Sequence, residues 1–168
     1  MSPEINFKNK SITLRTKMVR LPNGRCVGIE LITHPGAALS IPFLNKRNII
    51  LLRQFRPVLG EYLLELPAGT LRPGETNIRC AKRELMEETG YSAASIVRLG
   101  WIYPVPGYST ERITIYKAEK LTKRASCLEA DEFIEVSVYS IEQIKKLFKK
   151  GHIKDAKTIC ALSLCSIL

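Results

Sequence analysis

The chain has 168 residues, 45% of them apolar, with a mean hydropathy of −0.02 and a formal charge of +10. That length supports one globular unit with a real core. No stretch approaches the ~20 apolar residues of a membrane span, and MSPEINFKNK at the start lacks the apolar run of a signal peptide, so a cytoplasmic protein without a membrane partner is expected.

Residues 11–33 alternate polar and apolar side chains about Leu21-Pro22-Asn23-Gly24, which predicts antiparallel strands over 12–20 and 25–33. His34-Pro35-Gly36 is a natural boundary, dividing a small extension (1–36) from the main domain (37–168). A lone hairpin buries too little to be stable by itself, so this one is expected to pack across a homodimer. Strands follow over 37–44 and 48–56, joined through Asn45-Lys46-Arg47, and a short one over 61–66 stops at Pro67. Thr76 as N-cap and Gly90 as a left-handed C-cap bracket a helix over 77–89. Three more strands are predicted over 95–103, 112–120 and 132–138. Ser140 with Gln143 forms a capping box for a helix to about 150, and Asp155 starts a last helix to about 166. The fold class is α/β (α+β), a mixed sheet flanked by helices. Cys26, Cys80, Cys127, Cys160 and Cys165 are scattered without a CxxC pair, which argues for reduced thiols rather than a disulfide framework or zinc site.

Within the 77–89 helix Glu84, Glu87 and Glu88 stand at i, i+3 and i+4, crowding three carboxylates onto one face. Such crowding costs energy unless cations neutralise it, and hard oxygen donors suit Mg²⁺ or Mn²⁺. Ile78, Ala81 and Leu85 are expected to form the opposing apolar stripe. A solvated acidic face with Lys82 and Arg83 as surface partners would read similarly, but Gly69 and Glu75 stand at fixed upstream offsets. The frame of Gly69, Glu75, Arg83, Glu84, Glu87, Glu88 and Gly90, with Leu85 and Tyr91 in the apolar slots, resembles the Nudix box without a departure. A chance match somewhere in the chain is on the order of one in a million.

The resemblance implies a Nudix fold, a mixed sheet in an α/β/α sandwich, and hydrolysis of a diphosphate linked to some moiety X. It also implies two or three Mg²⁺ or Mn²⁺ ions held by Glu84, Glu87, Glu88 and the backbone carbonyl of Ala68. Arg83 is then expected to orient a carboxylate in the catalytic group. The base that deprotonates water is expected in the loop Glu129-Ala130-Asp131-Glu132, with Glu132 first and Glu129 second; Glu87 is a further candidate.

Outside the box, RQFRPVLGEYLLELPAG (53–69) closely resembles the lead-in of ADP-ribose pyrophosphatases. So do the N-terminal extension, Pro106 sixteen residues beyond Gly90, and GHIKDAKTICALSL near the end. ADP-ribose is therefore the expected substrate, giving AMP and ribose 5-phosphate; GDP-mannose-type hydrolases share much of the pattern. Arg53 and Arg56 are candidates for the diphosphate, since guanidinium forks match its oxygens. Glu65 is a candidate acceptor from adenine or ribose, and Pro106 completes the substrate set. Tyr62 and Tyr103 read as base-stacking or core residues, and His34 and His152 fit no ligand or triad pattern. Residues 1–60 hold ten lysines and arginines against Glu4 and Glu30, a basic surround that would steer a small anion. The basic residues are not interleaved with aromatics, so a nucleic-acid partner is not expected. Capped RNA remains the rival substrate motivated by charge, and a non-catalytic nucleotide sensor the rival from another class, although its signature would be a degenerate box.

Overall fold

The computed structural model describes residues 12–125 and 133–168. Strands β1 (Thr13–Arg20) and β2 (Cys26–Thr33) form an antiparallel pair from Thr13↔Thr33 to Arg20↔Cys26. Gly24 takes φ 85° at its turn, where Asn23 Oδ1 accepts from the Arg25 N–H at 3.1 Å. The pair is a separate two-stranded sheet. It is tied to the rest at Ile32, whose N–H donates to the Tyr108 carbonyl (2.8 Å) and whose carbonyl accepts from Thr110 N–H (3.0 Å).

The main body comprises β3 (Ala37–Pro42), β4 (Asn48–Arg56), β5 (Glu61–Glu65), β6 (Ala68–Thr70), α1 (Asn77–Thr89), β7 (Tyr91–Ile102), β8 (Ile113–Lys123), β9 (Ile134–Ser140), α2 (Ile141–Lys149) and α3 (Ala156–Leu164). One mixed sheet runs β6-β3-β8-β7, with β3 and β8 parallel, and an antiparallel sheet runs β5-β4-β9. Strand β3 is buried along its whole length, so it lacks the alternation of a half-solvated strand. Leu39 and Ile41 enter the main core with Ile49, Leu51, Ile115, Ile144 and Leu162, bringing both sheets and helices α2 and α3 together. Ala38 faces the other way, packing with Cys80, Ala81 and Tyr116, while Ser40 Oγ donates to the Ala81 carbonyl at 3.2 Å. That second face holds α1.

The sequence predicts α1 and β4 with their observed bounds, and the capping box of α2 is present in both directions. Several elements differ. Strand β6 is not predicted, because Ala68-Gly69-Thr70 has little strand propensity; its pairing with Leu39 to Ala37 makes it a strand. Strand β7 starts at Tyr91 rather than 95, since the small residues Ser92 to Ala94 gain order only by pairing with β8, which itself runs on to Lys123. Strand β9 runs Ile134–Ser140, against 132–138.

Candidate active site

Helix α1 is stopped by Gly90 (φ 71°, ψ 25°), whose N–H donates to Met86 O at 2.9 Å. Thr76 occupies the N-cap position with extended backbone (φ −83°, ψ 152°), but its side chain makes no capping bond. The helix does not place its acids opposite an apolar stripe. Two neighbouring i, i+4 ridges, Cys80-Glu84-Glu88 and Ala81-Leu85-Thr89, are both buried, with Glu84 8% and Glu88 3% exposed, while Ile78 is 41% exposed. The expectation of an apolar stripe through Ile78 is therefore corrected: Cys80 takes its place, because α1 leans toward β6 and carries two carboxylates inward.

Burying carboxylates is costly without partners, and the neighbouring backbone supplies some. Glu88 Oε2 accepts from the Ala68 N–H at 3.0 Å. Glu84 lies so close to β6 that a Cβ on Gly69 would fall 1.9 Å from Glu84 Oε1. Only glycine leaves room for that carboxylate beside the strand.

Arg83 is the hub of the cluster. Its Nε and Nη2 grip Glu75 (both 2.9 Å), Nη1 donates to Glu84 (2.6 Å) and Glu87 (3.0 Å), and Nη2 also reaches Thr70 O at 3.2 Å. The hydrogen bonds from Arg83 hold the Glu75 carboxyl down to about 2, and the same bonds raise Arg83 above its ordinary range. Glu75 accepts from Arg72 N–H at 3.0 Å, so the loop before α1 is fastened to the same guanidinium. Arg72 Nη2 lies 3.6 Å from Glu87. Below this layer Cys80 donates to Gly69 O at 3.3 Å; burial, reinforced by Glu84, pushes its thiol up to about 12, which makes it inert at neutral pH.

A cleft of about 240 Å³ is lined by Glu84, Glu87, Glu88, Arg83, Arg72 and the β6 backbone on one side, and by Gln54 and Arg56 of β4 on the other. Arg56 is held by a bidentate pair with Glu65, Nε–Oε1 and Nη2–Oε2 both 2.6 Å. Glu65 is 1% exposed and also accepts from Lys157 Nζ of α3. Burial alone would raise Glu65, but hydrogen bonds and charge from Arg56 and Lys157 prevail and hold it below the usual carboxylate range. Both Glu65 oxygens are thus engaged by protein cations, which differs from the expected acceptor for adenine or ribose.

The other predicted residues lie elsewhere. Arg53 is on the opposite face of β4, 3.9 Å over the Tyr62 ring and bonded to Glu135 at 2.9 Å. Residues 53 and 56 of one strand cannot share a face, a constraint the sequence already contains. The same parity brings Gln54 into the cleft beside Arg56, and Arg72 joins the lining from the loop before α1; neither is among the residues expected from the sequence. Pro106 is exposed in the turn after β7 and does not line the cleft. Glu132 and Glu129 lie outside the described residues.

Among the described residues no three acids, thiols or imidazoles converge as a ready metal cage, consistent with the Arg83 guanidinium bonding both Glu84 and Glu87. The donor chemistry nevertheless fits a hard divalent cation: Glu84, Glu87 and Glu88 of one helix line the same cleft, and Gly69 leaves a gap that any Cβ would fill.

The family model described as "NUDIX domain" matches residues 33–162. The chain is 37% identical over 158 residues to the ADP-ribose pyrophosphatase of Bacillus subtilis (strain 168), covering 93% of this chain and 85% of that protein. It is 33% identical over 137 residues to the GDP-mannose pyrophosphatase of Escherichia coli O1:K1 / APEC, covering 76% and 71% respectively. The crystal structure of an ADP compounds hydrolase superposes with a TM-score of 0.81 over 98% of this chain and 91% of that one; at 21% identity it speaks for the fold alone.

Proposed function

The chain belongs to the NUDIX family and is a pyrophosphohydrolase of that family, and on that premise we propose that it hydrolyses ADP-ribose to AMP and ribose 5-phosphate. The observation that carries the reading is the acidic cleft itself, where Glu84, Glu87 and Glu88 share one lining with Arg56. Its support in sequence is the 37% identity to an ADP-ribose pyrophosphatase over nearly the whole chain.

Glu84, Glu87, Glu88 and the Ala68 carbonyl would hold the metal, and the Arg56 fork would bind diphosphate oxygens. The chemistry supplied by about two or three bound Mg²⁺ or Mn²⁺ ions is neutralisation of the phosphoryl oxygens and acidification of water. Arg83 fixes the rotamers of Glu84 and Glu87, so the ligands are positioned before substrate arrives. Water attacks one phosphorus, its proton passes to a carboxylate, and the bridging P–O bond breaks with its electron pair going to the departing phosphate. Glu132 is proposed as that carboxylate on resemblance alone, with Glu87 next. Arg53 and Pro106, remote from this cleft, would contact substrate only through another surface of the assembly. The exposed β1–β2 sheet, with Leu14 45% and Met18 66% exposed, supports a homodimer built through residues 1–36; sedimentation as a monomer at micromolar concentration would remove that part.

A second reading, a GDP-mannose pyrophosphatase, is favoured by the relative of that name. The deciding experiment is phosphate release after phosphatase coupling, with Mg²⁺, across ADP-ribose, GDP-mannose, UDP-glucose, NADH, diadenosine polyphosphates and capped RNA. ADP-ribose should give the highest kcat/KM. Preference for GDP-mannose would keep the chemistry and replace the substrate, and silence on every compound would favour a nucleotide sensor.

A further inference from the structure

Arg56 lines two cavities at once: the acidic cleft, and a neighbouring cavity of about 360 Å³ that also contains Glu65, Asp155 and Lys157. Across the second cavity the charges alternate. Arg56 pairs with Glu65, Glu65 accepts from Lys157, and Lys157 Nζ donates to Asp155 Oδ1 at 2.8 Å. Asp155 is itself locked as the N-cap of α3, accepting from Thr158 N–H at 3.0 Å, and Thr158 Oγ1 accepts from Leu66 N–H at 2.9 Å. The start of α3 is therefore stitched to the end of β5, and Lys157 cannot drift from Glu65 without breaking these bonds.

This row has a consequence for the cleft. An arginine facing Glu84, Glu87 and Glu88 is drawn toward those acids, and Glu88 does exert a charge effect on Arg56. The bidentate pair with Glu65 restrains it on the β4 side. A buried Glu65 with Arg56 as its sole partner would cancel that guanidinium's charge, whereas Lys157 takes a share of the carboxylate. Arg56 then keeps positive potential to offer an anion, and the bidentate pair, made through Nε and Nη2, does not use its Nη1.

We propose that Lys157 is a positioning residue for substrate binding: through Glu65 it holds the Arg56 guanidinium in place, with its positive potential less offset by that carboxylate, at the diphosphate end of the cleft. The inference rests on the diphosphatase reading above. It predicts that α3, which contributes nothing to the cleft lining, sets substrate affinity, while chemistry at the α1 carboxylates proceeds at its normal rate.

The test compares wild type, Lys157→Met, Lys157→Gln and Lys157→Arg, measuring KM and kcat for ADP-ribose, Kd for the non-hydrolysable α,β-methylene analogue, and thermal midpoint. Lys157→Met and Lys157→Gln should raise KM and Kd about tenfold, the loss of one charge-assisted contact's worth of binding, with kcat within twofold of wild type. Lys157→Arg should restore both constants to within threefold. Two neutral variants guard against one failing to fold. Unchanged KM and Kd in a folded neutral variant would overturn the proposal, as would a fall in kcat at constant KM, or a loss that Lys157→Arg fails to rescue. A wild type that binds the analogue without hydrolysing ADP-ribose would refute the functional reading and leave the Kd comparison to decide this one. A wild type that does neither would overturn both.

Discussion

The α1–β6 corner and the β1–β2 hairpin are both dense in charge, yet they hold it under different rules. In the corner Glu75, Glu84, Glu87 and Arg83 are mostly removed from water, between 11% and 23% exposed by side chain, and one guanidinium bonds all three acids. In the hairpin Arg15, Lys17, Arg20 and Arg25 lie exposed along a two-stranded sheet. Buried charge needs a specific partner at a specific distance, so each residue identity in the corner is fixed by its neighbours. Exposed charge is screened by water and salt, so in the hairpin only the sum matters.

That contrast can be broken most forcefully at the hub. Arg83→Ala would leave Glu75, Glu84 and Glu87 crowded without their shared cation and should destabilise the fold by about 3 kcal/mol, read by chemical denaturation in the absence of divalent metal. Added Mg²⁺ should recover part of that loss, because a cation replaces the guanidinium among the carboxylates. A loss below about 0.5 kcal/mol would place the corner under the hairpin's rules.

Acidification should give a smaller effect at the same corner. Glu75 titrates near 2 in the folded chain against about 4.3 for an ordinary glutamate. A depressed carboxylate contributes stability that is complete above its unfolded value and is lost as pH falls through its folded value. The chain should therefore lose stability on acidification from about 4.3 to 2, and Glu75→Gln should flatten that stretch. An unchanged acid profile in the variant would show that Arg83 does not hold Glu75 in solution.

The smallest effect belongs to the hairpin. Lys17→Ser with Arg15→Ser should change stability by less than about 0.5 kcal/mol while weakening the salt dependence of substrate capture. A larger loss, measured by thermal unfolding at several ionic strengths, would mean that these side chains carry specific contacts, as a dimer interface would supply.

The same distinction explains what could be read from the sequence. Helix α1 was legible to the residue because Gly90 stops it and the box spacing puts three acids on one face. Its tilt was not, since Ile78 and Cys80 are equally plausible inward positions until β6 pairs with β3 and draws Glu84 under Gly69 and Glu88 to the Ala68 N–H. Strand β6 itself exists only through that pairing. The Arg56–Glu65–Lys157 row joins positions 9 and 92 residues apart, a contact that no local pattern encodes. Arg53 could have been set aside by strand parity alone, because Arg56 and Gln54 share the face it lacks.

The most direct test of the hydrolytic centre is product analysis after ADP-ribose is incubated with Mg²⁺ and either wild type or Glu88→Gln. Glutamine keeps an oxygen for the Ala68 N–H, so the variant should fold while losing about a thousandfold in kcat. Wild type should release equimolar AMP and ribose 5-phosphate, and Glu88→Gln neither at the same enzyme concentration; equal turnover by the two proteins, or products other than this pair, would rule out a hydrolytic centre on α1.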